Sequence, residues 1–260
     1  MENFDEAAFD EFESEAVEAG KENDEYANDP IRKHIAKEEF QNLSPTERNQ
    51  LALERWHKSK KSNWQIGQIY ERYVGHFYAM QGYSVAYFGA NKGLNDLGRD
   101  LIVKKNGTTL IAQCKYWAKH KEIHEKHIFQ LYGSVVEYEF FNQGDIVELP
   151  LFEKSEKLQN VRGVLFTSAR LSERAKKFAD FLGIEVIEEH PLGEYPAIIC
   201  NISNDTKDKI YHLPMDQQYN KIRVENKSQI EFAFTVREAE TMGYRRAYRW
   251  RGDNRNGSNL

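Results

Sequence analysis

The chain has 260 residues, 40% of them hydrophobic and 30% charged, which is enough to bury a sizeable core, and no apolar run is long enough to cross a bilayer. Its two cysteines, Cys114 and Cys200, exclude a disulfide framework and a zinc site built from cysteines. The net charge of -5 divides unevenly: residues 1–29 hold twelve acids and one Lys, a balance of -11, which leaves +6 on residues 30–260. An acidic start is unlike a signal peptide, so the expected setting is the cytoplasm, with no membrane partner.

Residues 1–29 read as an acidic disordered tail, with Phe4, Phe9 and Phe12 spaced as contacts. Solubility is its ordinary role, and a sharper one is regulatory: competition for the basic body, or capture of a partner. Residues 30–62 read as an N-terminal helical segment and basic linker. Leu43-Ser44-Pro45-Thr46-Glu47 predicts a helix start, with Ser44 as cap, Pro first and Glu three residues after the cap, and Lys58-Ser59-Lys60-Lys61-Ser62 forms the linker. Residues 64–80 have helical periodicity, and Glu71 lies well off the apolar stripe, where a functional acid and a solvated charge fit equally.

After Gly82, residues 83–88 predict a strand and residues 89–98 a glycine-rich loop. A hairpin follows: Asp100-Leu101-Ile102-Val103, the turn Lys105-Asn106-Gly107-Thr108, then Leu110-Ile111-Ala112-Gln113-Cys114-Lys115-Tyr116-Trp117. A helix is predicted over 123–141, a polar insertion between Asn142 and Val161, a strand over 163–168, a helix over 172–182 and a strand over 184–187. This αβββαβαβ order predicts an α/β core: a mixed sheet flanked by helices.

Strand alternation places Ile111, Gln113 and Lys115 on one face, with Gln113 and Lys115 roughly 6.6 Å apart along it. Asp100, opening the neighbouring strand, completes a compact polar cluster. Phosphodiester hydrolysis asks for these groups: an oxygen-ligated divalent cation to polarise the phosphate and activate water, and a positive group beside the developing charge. Asp100 suits the metal, Lys115 the water or the transition state. Gln113 is the weaker member, because its amide oxygen ligates without adding negative charge.

Asp100 followed by Gln113-x-Lys115 resembles the D…QxK variant of the PD-(D/E)XK nuclease signature, and the surrounding words resemble the Mrr-like restriction endonuclease domain. Those words are Ile69-Tyr70-Glu71-Arg72-Tyr73-Val74, Gln81-Gly82-Tyr83-Ser84-Val85, Leu131-Tyr132-Gly133, Gly163-Val164-Leu165-Phe166-Thr167-Ser168 and Ala175-Lys176-Lys177-Phe178-Ala179. The resemblance implies a restriction-endonuclease-like fold over residues 63–192, Asp100, Gln113, Lys115 and Glu71 as catalytic residues, and Asp100, Gln113 and Glu71 around Mg²⁺ or Mn²⁺. It implies a DNA endonuclease acting on double-stranded DNA, with a homodimer as one way to cut both strands. The chain departs from the family in carrying Arg99 and a second acid, Asp96, in the loop word. A catalytically inactive DNA-binding protein on the same fold is the rival.

His120, His124 and His127 have a spacing that invites a metal, but no Cys or fourth ligand stands nearby. Lys119, Lys121 and Lys126 read better as a positive rim for a phosphate backbone, which Lys104 and Lys105 extend. Residues 193–260 read as a small basic α+β module. Ile199-Cys200-Asn201-Ile202-Ser203, Lys209-Ile210-Tyr211-His212-Leu213-Pro214 and Glu238-Ala239-Glu240-Thr241-Met242-Gly243-Tyr244-Arg245 resemble an accessory module appended to bacterial nucleases. Arg245, Arg246, Arg249 and Arg251, interleaved with Tyr248 and Trp250, suit nucleic acid, and equally a basic end that caps the module.

Overall fold

The computed structural model describes residues 25–88, 98–142, 160–203, 207–222 and 230–247; Asp96, Arg249, Arg251, Tyr248, Trp250 and residues 143–159 lie outside them. The described chain opens with α1 (Glu25–Asn28), a 3-10 turn at Pro30–Lys33, α2 (Lys37–Asn42) and α3 (Pro45–Lys58). The cap of α3 is the predicted one: the Glu47 N–H donates to Ser44 Oγ, and the Ser44 N–H donates back to the Glu47 carboxylate at 3.0 Å. Ser62 caps α4 (Asn63–Met80) in the same way with Gln65, so the linker ends as a helix start.

The central sheet contains β1 (Ser84–Tyr87), β2 (Leu101–Lys105) and β3 (Thr108–Lys115), which run antiparallel in sequence. Asn106 and Gly107, at φ 51° and 79°, make the tight β2–β3 turn. The short β4 (Glu122–Ile123) and α5 (Glu125–Asn142) follow, then β5 (Val161–Thr167), β6 (Arg170–Leu171), α6 (Glu173–Leu182) and β7 (Glu185–Ile187). β5 lies parallel to β3, and β7 parallel to β5, giving the order β1-β2-β3-β5-β7. The helix predicted from residue 123 starts at Glu125 instead, because Glu122 and Ile123 pair in parallel with β6 and Ile123 is fully buried.

Alternation along β3 decides what each face meets. Leu110, Ala112 and Cys114 pack with Tyr70, Val74 and Tyr78 of α4, whereas Ile111 packs with Ile128 and Leu131 of α5. The result is a mixed α/β core with helices on both faces. Among the described residues no helix is long and apolar enough to cross a membrane.

The C-terminal part forms a second sheet from β8 (Ile198–Ile202), β9 (Lys209–His212) and β10 (Ile230–Ala233), then α7 (Val236–Thr241) and β11 (Arg245–Arg246), ordered β10-β8-β9-β11. Four short strands and one short helix leave an apolar face open, and α2 and α3 cover it. Ile31, Ile35, Phe40, Ala52 and Leu53 share one core with Ile198, Cys200, Tyr211, Val236 and Tyr244. Thr46 Oγ1 donates to Glu240 at 2.8 Å and Asn49 Nδ2 to the Tyr211 hydroxyl at 3.1 Å. Two segments that read as separate in the sequence therefore fold as one terminal unit. The acidic tail also ends earlier than residue 29: Glu25–Asn28 is helical, and the Asp29 carboxylate caps the next turn by accepting the Ile31 N–H at 3.0 Å.

Candidate active site

Asp100 sits just before β2 and already belongs to the ladder, its N–H donating to Ala112 O at 3.0 Å and its carbonyl accepting from Phe88 N–H at 2.8 Å. Its Oδ2 accepts the Cys114 N–H at 2.6 Å, a charge-assisted bond that orients a largely buried carboxylate. Lys115 ends β3, opposite Thr167 at the end of the parallel β5. The ends of β3 and β5 and the start of β2 thus meet at one edge of the sheet, and α4 brings Glu71 to the same place. Glu71, Asp100, Cys114 and Lys115 line a cleft of about 810 Å³.

The buried Cys114 thiol reports how these charges converge. Burial pushes its pKa well up, Asp100 and then Glu71 push the same way, and Lys115 pulls back. Cys114 is therefore a packed thiol rather than a nucleophile.

Gln113 is fully buried and does not reach the cleft wall. Its Nε2 donates to Gly98 O at 3.0 Å and to Gln130 Oε1 at 3.3 Å, while its Oε1 has no hydrogen-bond partner. Because a carbonyl only accepts, Gly98 sets which way the amide points. Gly98 is required twice over: φ is +78°, and a Cβ there would lie 2.5 Å from Gln113 Nε2.

Of the three carboxylates on the cleft wall, Glu189 is paired with Arg170 at 2.8 Å, which leaves Asp100 and Glu71 as hard donors, and Mg²⁺ is commonly held by one or two carboxylates with water completing its shell. The residues present fit such an ion. Among the described residues no three His, Cys, Asp or Glu side chains form a metal-holding group, which leaves water to complete the set; Gln113, expected from the sequence around the metal, is held away from the cleft by its burial behind the wall. His127 lies edge-on to Trp117, ring centroids 5.2 Å apart, and burial, aided by Lys115, lowers its pKa to about 4.

Lys119 and Lys121 line the cleft; Lys126 is exposed at the start of α5 and does not. Lys104 and Lys105 sit at the turn end of the hairpin, roughly 23 Å along β3 from Lys115 at a rise of about 3.3 Å per residue, so they do not extend the rim. Arg246 corrects its assignment to a nucleic-acid surface. Its guanidinium donates to both oxygens of Asp29 at 2.9 and 3.0 Å, to Asp216 at 2.6 Å and to Asn49 at 2.7 Å, leaving the side chain 14% exposed. Arg245 pairs with Asp208 at 2.6 Å on the surface, and both arginines lie on β11 rather than a helix end.

Sequence reasoning gave no role to Ser168 or Arg170, which also line the cleft. Ser168 Oγ donates to Trp117 O and accepts Trp117 N–H, each at 2.8 Å, holding the segment that leaves β3. The available signal was position: both residues follow a strand parallel to β3, so they emerge at the same edge as Lys115.

The geometry agrees with what comparison with known proteins finds. Residues 66–194 match the family model for the restriction endonuclease catalytic domain of Mrr type. No match to a curated protein was found. Among solved structures, the chain is similar to a protein of unknown function, AF1548, at 19% identity over 47% of this chain and 60% of that one, with a TM-score of 0.32. It is also similar to the MspJI restriction endonuclease in complex with a 27-mer oligonucleotide, at 11% identity over 57% of this chain and 32% of that one, with a TM-score of 0.33. The chain spans less than two thirds of either neighbour. The family match spans Glu71, Asp100, Gln113 and Lys115, and it identifies residues 66–194 as a restriction endonuclease domain of Mrr type.

Proposed function

We propose that the chain is a Mg²⁺-dependent DNA endonuclease, with Mn²⁺ able to substitute, that hydrolyses phosphodiester bonds of double-stranded DNA in a cytoplasmic, restriction-type or defensive role. The observation that carries this reading is the convergence of Asp100, Lys115 and Glu71 in one cleft whose walls add Lys119, Lys121 and Arg170. Asp100 and Glu71 would hold the ion, with water completing its shell, because Gln113 lies behind the cleft wall. When bound, Mg²⁺ supplies Lewis-acid polarisation of the phosphate and a more acidic water. The Cys114 N–H keeps the Asp100 carboxylate oriented, so no reorganisation precedes the reaction. The Lys115 ammonium offsets charge that develops on the phosphate oxygens as water attacks. Lys119 and Lys121 hold flanking phosphates and carry no sequence information.

The buried, neutral Gln113 favours the rival, a DNA-binding protein without turnover. The separating experiment is plasmid cleavage by the wild type and by Lys115→Ala, with Mg²⁺ and with EDTA. Cleavage that needs Mg²⁺ and falls about a hundredfold to ten-thousandfold in Lys115→Ala, with DNA binding kept, is the expected result. Binding without cleavage by the wild type selects the rival. Cutting both strands calls for two sites, which motivates a homodimer; sedimentation with and without DNA tests it.

A further inference from the structure

A second, smaller cavity of about 120 Å³ lies between α4 and the terminal unit, and Trp64 and Gln68 line it as well as the catalytic cleft. We propose that this crevice takes one unstacked nucleobase from the DNA strand that leaves the cleft. The proposal rests on the DNA-processing reading above and adds a base-binding subsite to it.

Arg72 is the first observation. It is 6% exposed, its guanidinium lies 4.0 Å from the Tyr87 ring centroid and 5.3 Å from that of Tyr219, and Nη2 donates to Tyr219 O at 3.3 Å. Nη1 is buried without an acceptor, and among the described residues no carboxylate pairs with the cation. A buried guanidinium with an unused donor is costly in a folded protein unless something else supplies an acceptor. Arg72 lines the crevice and sets a cationic, flat guanidinium into its wall.

Trp64 is the second. Its side chain is 63% exposed near the start of α4, at the boundary the two cavities share. An indole held in water between a phosphate-binding cleft and an aromatic-walled crevice is a stacking platform of the kind single strands use. Across the crevice, Trp56 lies under the Lys61 ammonium, 4.6 Å from the ring centroid, and Asn220 Nδ2 reaches Gln68 Oε1 at 3.5 Å, bridging the two units.

The lining selects among ligands. No acidic residue stands among the described lining residues, which argues against a cation, and the cavity is too small and polar for a lipid chain. A bare phosphate would use the guanidinium but not the aromatic walls. A planar heterocycle with ring acceptors uses both, and side-chain amides offer donors to its edge.

The test is equilibrium binding of three DNAs to the full chain: a blunt duplex, the same duplex with a short single-stranded flank, and that flank with abasic nucleotides. Wild type, Trp64→Ala, Trp64→Phe and Asn220→Ala are compared by the ratio of flanked to blunt affinity. The expected results are tighter binding of the flanked duplex, loss of that gain with the abasic flank, and a flank gain about tenfold to a hundredfold smaller in Trp64→Ala, partly kept in Trp64→Phe and reduced in Asn220→Ala. Equal affinity for flanks with and without bases, or a gain that survives Trp64→Ala, overturns the subsite. Flank-dependent binding by a protein that never cuts DNA keeps the subsite and removes the nuclease reading, and no DNA binding at all removes both.

Discussion

Around Arg246, the two terminal guanidinium nitrogens, Nη1 and Nη2, meet acceptors on Asp29, Asp216 and Asn49, whereas Gln113 keeps its amide oxygen and Arg72 one of its nitrogens without partners. All three groups are largely shielded from water, so the contrast lies in satisfaction rather than burial. A closed cluster fixes structure: it ties the start of the described chain to its last strand across the terminal unit. An open one marks a place where the fold tolerates an unpaired group; these two belong with the nuclease domain and its crevice, and the terminal unit has its own at Arg48 Nε, Asn201 Oδ1 and His212 Nδ1.

The sharpest way to break this comparison is Arg246→Ala. Removing one partner of a buried ion-pair cluster is expected to cost about 3–5 kcal/mol of unfolding free energy in urea, with little direct effect on DNA affinity. A small stability loss accompanied by lost DNA binding would return Arg246 to the binding surface. On the open side, Gly98→Ala forces a Cβ against Gln113 Nε2 at a positive φ, and is expected to cost about 1–3 kcal/mol while lowering cleavage further than that stability loss explains. Thermal melts beside plasmid cleavage measure the two effects.

A smaller effect follows from the buried histidines. His127 has a pKa of about 4 when folded, and its ordinary value is near 6.5. Between those values the unfolded chain binds more protons, so stability is highest above about pH 6.5 and falls as pH drops toward 4. Burial lowers His57, His76, His190 and His212 in the same sense. His127→Phe should flatten the stability profile in that window by less than about 1.4 kcal/mol per pH unit, because the ring is only partly buried. An unchanged slope would mean that His127 binds protons alike in the folded and unfolded chain, so that its pKa is not lowered by folding. The smallest effect belongs to the rim: Lys119→Ala and Lys121→Ala should each reduce the log–log salt slope of DNA binding by about 1, and Lys104→Ala should leave it unchanged.

Much of the nuclease domain was legible because its signals are local. Asn106-Gly107 announces a tight turn and alternation along residues 110–115 assigns each side chain to a face, as Ser44 announces a helix start in the terminal unit with its carboxylate partner three residues on, whereas the cap at Ser62 went unread inside the linker. Glu71 stayed ambiguous because a helical wheel says which residues avoid the core but not what the outer face meets. Lys104 and Lys105 were misplaced because sequence adjacency to Asp100 hides the length of a strand. Arg246 looked like a binding residue because its acceptors, Asp29 and Asn49, lie about two hundred residues away in sequence.

By itself, the sequence determined most strands and helices of the nuclease domain and which face of β3 carries Gln113 and Lys115, since period, capping and turn chemistry act over a few residues. Only the tertiary structure decided that Glu71 lines the same cleft as Asp100 and Lys115, that Gln113 is buried behind the cleft wall, and that the two ends of the described chain share one core. Those outcomes depend on long-range packing of apolar faces and on buried donors finding acceptors, and neither leaves a mark within a short window of sequence.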